Sequence, residues 1–249
     1  MQVTFFDTEN RKLKTENPNV SQVSQNLEEV QSRLRAAALR AGRDPADVRL
    51  VAVSKTVPLD RLREALAAGQ RLFGENYLQE AERKIAALGP GVSWHFVGHL
   101  QSNKARGAVA LFDLIHSVDR LKLALAVNDA AARVGKVQDI LLQVNLAGEA
   151  SKSGASPEAV PELVREISLL TNLNLLGLMT MPPYFPDPEE ARPFFRALKE
   201  LRDRLEQERH YSLPELSMGM TGDFEVAVAE GATLVRVGTA IFGPRPLKS

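Results

Sequence analysis

Eight times between Leu50 and Val237 the sequence abandons helical spacing for a short apolar run of strand length. The runs are Leu50–Val53, Arg71–Phe73, Trp94–Val97, Leu114–His116, Ile140–Val144, Leu175–Met179, Leu216–Met218 and Leu234–Val237. Continuous apolar runs bounded by turn signals are expected of strands buried on both faces of a parallel sheet. Helical patterns lie between several of them. One opens at Pro58 and Asp60 and stops at Gly69; a second runs from Tyr77 to Leu88 and ends at Gly89-Pro90. A third has Ser156 as N-cap with Pro157 at its first position, and a fourth spans Ala191 to Leu205. Strands alternating with helices predict a parallel α/β architecture, and eight is the count that closes a (β/α)8 TIM barrel, whose usual size is about 250 residues. A doubly wound open sheet is the alternative, but it rarely needs eight equivalent units.

Ahead of the first strand, Leu27, Val30, Leu34, Ala37 and Ala41 repeat at helical spacing up to Gly42, predicting an extra N-terminal helix. Residues 1–20 are too polar to bury much and are expected to form a flexible leader. No Gly-, Ser- or Pro-rich linker divides the rest, so residues 21–249 are read as one barrel domain.

The 31 basic and 31 acidic residues cancel, which leaves no long-range field for nucleic acid or an anionic membrane. There are no cysteines, so disulfides and thiolate metal sites are excluded. The first twenty residues lack the apolar core of a signal peptide, and no later stretch has the length of a membrane span. A cytoplasmic protein is expected.

In such barrels chemistry sits at the carboxyl ends of the strands. Lys55 directly follows the first apolar run. An ammonium at a barrel mouth is costly to desolvate, which favours the neutral amine able to attack an aldehyde. The bland reading is a lysine that surfaces where a strand ends, and position alone does not separate the two. After the eighth run come Gly238 and Thr239, in the place where barrels commonly hold a phosphate. A plain turn with Thr239 as helix cap is the competing reading. Ser217, at the seventh run, adds a hydroxyl that can reach the same phosphate. An aldehyde-reactive lysine facing a phosphate cradle suggests pyridoxal 5′-phosphate, and also fits a Schiff-base aldolase acting on a phosphosugar.

Seven segments carry a resemblance to a known family. They are Leu50–Lys55, Phe73–Tyr77, Trp94–Gln101, Asn145–Gly154, Gly177–Met179, Leu216–Thr221 and Val235–Gly243. In this order, at nearly every strand end, they resemble the pyridoxal phosphate homeostasis proteins, single-domain relatives of the alanine racemase barrel. The resemblance implies that Lys55 bears the cofactor as a Schiff base, that Ser217, Gly238 and Thr239 hold its phosphate, and that Asn76 lies beside its ring. It places Arg236 against the pyridine nitrogen. A guanidinium there can only donate, which keeps that nitrogen unprotonated and makes the ring a poor electron sink. The family is regarded as a carrier or regulator of the cofactor without established catalysis. Alanine racemase continues into a further domain that brings a tyrosine to the opposite ring face. This chain is expected to lack that group, and racemisation needs proton donors on both faces.

A protein that stores, delivers or buffers pyridoxal phosphate is therefore the leading expectation, with a weakly active amino-acid racemase as the alternative. Amino acids and transient contacts with cofactor-requiring enzymes are the expected further partners, and a monomer is expected because the racemase's dimerising domain is missing. His95 and His99 flank a strand end rather than one helical face, so no metal is assigned; one is expected to line the pocket and the other to pack. Met179 reads as core packing, as does Met181, and the polar run Glu149–Gly154 as a loop that either covers the pocket or is ordinary surface.

Overall fold

The computed structural model describes residues 21–149, 153–209 and 211–244. Eight parallel strands close into a barrel in sequence order: β1 (Arg49–Val53), β2 (Leu72–Glu75), β3 (Ser93–Phe96), β4 (Leu114–Val118), β5 (Gln138–Val144), β6 (Leu173–Thr180), β7 (Glu215–Ser217) and β8 (Leu234–Val237). The barrel is sealed where β1 meets β8, in register from Arg49 opposite Leu234 to Ala52 opposite Val237. Outside it lie α1 (Gln22–Arg40), α2 (Leu59–Ala67), α3 (Leu78–Leu88), α4 (Ala105–Leu111), α5 (Leu121–Arg133), α6 (Val160–Ile167), α7 (Arg192–Arg209), α8 (Phe224–Ala229) and the one-turn α9 (Thr239–Phe242). The expected barrel and its additional N-terminal helix are both present. The leader and residues 150–152 lie outside the described residues.

Strand alternation divides the apolar residues between two cores. Val51, Leu114, Leu141, Met179 and Leu234 pack together inside the barrel. Their neighbours Ala52, Ile115, Ile140, Leu142, Leu178 and Val235 join the larger core under the helices. The same period of two sets Arg236 on the face of Leu234 and His116 on that of Leu114, which fixes where the polar groups described below can appear. The approach of β6 to β7 depends on Gly177 (φ +157°): a Cβ there would stand 1.9 Å from the carbonyl oxygen of Glu215.

The additional helix α1 begins at Ser21, whose side chain accepts from the Ser24 amide, and it buries Val23, Leu27, Val30 and Leu34. Asn26 Nδ2 donates to the Ile241 carbonyl in α9 at 2.9 Å, and Arg33 pairs with Glu225 of α8 while lying over the Phe224 ring. One expected helix start moves. Ser156 and Pro157 open a turn, closed by the Ala159 amide donating to the Ser156 carbonyl, and α6 starts at Val160 with Pro161 in its first turn. No helix among the described residues is long and apolar enough to cross a membrane.

Candidate functional site

A cavity of about 490 Å³ opens at the carboxyl ends of the strands. Five of the six residues expected at the site line it: Lys55 beyond β1, Asn76 beyond β2, Arg236 in β8, and Gly238 and Thr239 at the β8–α9 junction. Met181, Tyr184 and Phe185 line it from the segment after β6; Tyr184 is 87% exposed.

Arg236 is held on the floor of this cleft. It is 4% exposed, donating from Nη1 to Ser217 Oγ (2.5 Å) and from Nη2 to the Thr180 carbonyl (2.9 Å). Burial lowers its pKa to about 10, against the opposing pull of Asp223. The guanidinium therefore stays charged at neutral pH.

The sixth expected residue differs. Ser217 is fully buried and does not line the cleft, because its position in β7 turns the hydroxyl into the barrel. There Oγ receives the Arg236 hydrogen bond and meets His116 Nδ1 at 2.9 Å. His116 Nε2 in turn meets His95 Nδ1 at 2.9 Å. Ser217 Oγ, His116 and His95 thus form a buried hydrogen-bonded chain, in which the imidazole tautomers set which partner donates at each link. Burial holds both imidazoles neutral, His95 with a pKa of about 4 and His116 well below its usual 6.5. The hydroxyl that does flank the cleft near Thr239 is that of Thr221, four residues on, with the two threonine oxygens 3.1 Å apart.

Two features leave room for a ligand's polar groups. Asn76 Oδ1 is buried with no hydrogen-bond partner. An unsatisfied amide at the wall of a cleft has capacity for a bound oxygen or donor, whichever way the amide is turned. At Gly238 a Cβ would come within 3.1 Å of the Val53 carbonyl oxygen, so a side chain there would crowd the end of β1, two residues before Lys55. The amine, the guanidinium, the two hydroxyls and the open amide match an anionic, aldehyde-bearing heterocycle.

Neither histidine flagged in the sequence lines the cleft. His95 is inside the barrel, and His99 is exposed with Nδ1 2.9 Å from Ser153 Oγ; Val97 is the cleft residue from that segment. Met179 belongs to the inner core, as expected, whereas Met181 is 38% exposed on the cleft wall. The described parts of the polar loop after β5 are tied back to the barrel, Asn145 Nδ2 to the Glu149 carbonyl and Gln143 Nε2 to the Ser153 carbonyl, both 2.9 Å.

Residues 24–246 match the family described as the alanine racemase N-terminal domain. The pyridoxal phosphate homeostasis protein of Aquifex aeolicus is 46% identical over 88% of this chain and 96% of its own. That of Pseudomonas aeruginosa is 47% identical over 91% of this chain and 97% of its own. The structure of PipY from Synechococcus elongatus with pyridoxal phosphate bound aligns with a TM-score of 0.80 at 40% identity, covering 89% of this chain and all of that one (100%).

Proposed function

Because the chain belongs to the pyridoxal phosphate homeostasis proteins, built on the alanine racemase N-terminal domain, we propose that its cleft holds pyridoxal 5′-phosphate for intracellular storage, delivery or buffering rather than for turnover. The observation that carries this reading is the convergence of Lys55, Arg236, Thr221 and Thr239 on one cavity. When bound, the cofactor supplies an aldehyde that captures amines and a ring that accepts charge. Lys55 provides the amine for the aldehyde. Thr221, Thr239 and the Gly238 backbone hold the phosphate, and Asn76 takes a hydrogen bond from or to a ring substituent. Arg236 meets the ring nitrogen as an obligatory donor and so keeps a proton off it. That arrangement suits retention of the cofactor and disfavours carbanion chemistry, which argues against an amino-acid racemase.

The protein acts as a cytoplasmic monomer, with residues 21–249 as the binding unit, accepting amino acids only by slow exchange and passing the cofactor to enzymes that need it. The balanced charge and the self-contained barrel support this. The test is to reduce the loaded protein with borohydride and locate the adduct by peptide mass spectrometry. Lys55 is the expected site, and Lys55→Ala abolishes the adduct; an undiminished adduct on Lys104 would overturn the assignment. Incubation with alanine in heavy water gives negligible deuterium at the α-carbon. Rapid incorporation that depends on Lys55 would identify an enzyme instead.

A further inference from the structure

The backbone on either side of Lys55 is gripped by side chains from a different element. Thr56 has φ +62°, a left-handed conformation that is an outlier for a β-branched residue. Lys84 Nζ, from α3, donates at 2.6 Å to the Ser54 carbonyl, part of the peptide group preceding Lys55. Glu80 Oε1, one turn earlier in the same helix, accepts at 2.6 Å from the Thr56 amide, part of the peptide group that follows. Lys84 Nζ also donates to that Glu80 oxygen at 2.6 Å, so the two side chains form a bracket around the Lys55 Cα. The third ammonium proton goes to Glu75 Oε1 (2.8 Å), which accepts from Ser54 Oγ as well (2.6 Å).

Lys84 and Glu75 have side chains 6% and 0% exposed. A buried ion cluster is a poor device for stability, since packed apolar residues of similar size often serve as well or better. A backbone outlier persists only where its surroundings over-determine it, and such outliers gather at working sites. Here the cluster and the outlier coincide at one lysine.

We propose that Lys84 and Glu80 are positioning residues for Lys55, fixing its flanking peptide groups so that the amine is presented to the cofactor's aldehyde. This rests on the pyridoxal phosphate reading above. In the condensation the amine nitrogen forms a C=N bond with the carbonyl carbon, and the carbonyl oxygen leaves as water. Neither Lys84 nor Glu80 lines the cleft, so the bracket acts on that step and not on docking. A cluster that only packs α3 against the barrel would affect both alike.

The experiment compares Lys84→Met and Glu80→Ala with the unmodified protein. Glu80 is 17% exposed, so its removal disturbs the core least and decides the matter if Lys84→Met does not fold. Affinities are measured for pyridoxal 5′-phosphate and for pyridoxine 5′-phosphate, which has the ring and phosphate but no aldehyde. The rate of borohydride-trapped adduct at Lys55 is followed alongside. Pyridoxal phosphate affinity and trapping rate fall on the order of tenfold, the effect of losing a charged hydrogen bond, while pyridoxine phosphate affinity is unchanged. Equal losses for both ligands, or no change in either, would overturn the bracket. Absence of a Lys55 adduct in the unmodified protein would overturn the cofactor reading itself, and the bracket with it.

Discussion

A hydroxyl four positions from where it is expected changes which one borders the cleft. Ser217 lies within β7 with its hydroxyl inside the barrel, whereas Thr221, past the turn, lines the cleft and accepts from the Thr239 hydroxyl. Each threonine hydroxyl that meets a phosphate dianion contributes roughly 1.5–3 kcal/mol. Replacing Thr221 and Thr239 with alanine therefore weakens pyridoxal phosphate strongly and pyridoxal, which has no phosphate, hardly at all. Ser217→Ala loosens Arg236 instead and leaves the ratio of the two affinities near its original value. Equilibrium titrations of both ligands check this; a ratio that collapses in Ser217→Ala and survives the double threonine change would reverse the assignment. Lys55 was legible as a cleft residue because it stands just beyond an apolar run, and Arg236 because the family resemblance singles out that position inside one. Thr221 was not, since choosing it over Ser217 requires the side-chain directions at the end of a three-residue strand. The Glu75–Lys84–Glu80 cluster was equally hidden, because it exists only once α3 is laid beside β1.

The strands were readable because burial on both faces makes them largely apolar, and β8 coincides with its expected limits. Helices α4 and α5 gave weaker signals. The first is seven residues long and carries Gly107 in its middle; the second follows Arg120, with no side chain capping its first turn. Helix α1, by contrast, shows a clean apolar stripe, and its position explains a structural duty. It backs α8 and α9, the helices that flank Thr221 and begin at Thr239. Leu27 in α1 is 1% exposed, so Leu27→Ala is expected to cost about 2–5 kcal/mol through lost burial and a residual cavity. Leu39 on the same helix is 66% exposed, and its replacement by alanine changes stability by no more than about 0.5 kcal/mol. Urea denaturation of the two variants supplies the comparison: a lowered midpoint for Leu27→Ala alone supports the packing role, and equal midpoints count against it.

Across the whole molecule, the buried imidazoles make stability depend on pH in a definite direction. The folded-state pKa of His95 is about 4, below its usual 6.5, and that of His116 is depressed as well. Below about pH 6.5 the unfolded chain therefore binds more protons than the folded one. Their contribution is fully present above that pH and is lost as the pH falls toward 4, on the order of 3 kcal/mol for His95 alone. Glu75 and Asp223 have carboxyls raised by burial and act in the opposite sense. The informative quantity is thus the difference between the protein and His95→Gln, measured by denaturation from pH 7 to 4.5. The variant loses stability less steeply on acidification; identical slopes would mean that His95 is not held neutral. The seam of the barrel carries a different consequence. Arg49 pairs with Leu234, so β1 and β8 join segments far apart in the sequence, and non-local pairings of this kind are slow to form. Lys55 stands on one side of that seam, Arg236, Gly238 and Thr239 on the other. The residues on the two sides of the cleft are therefore brought together only when β8 pairs with β1, and the cavity they line is complete only once that seam has closed. A ligand that spans the join and favours the folded state would act as a clasp on the closure that created its site.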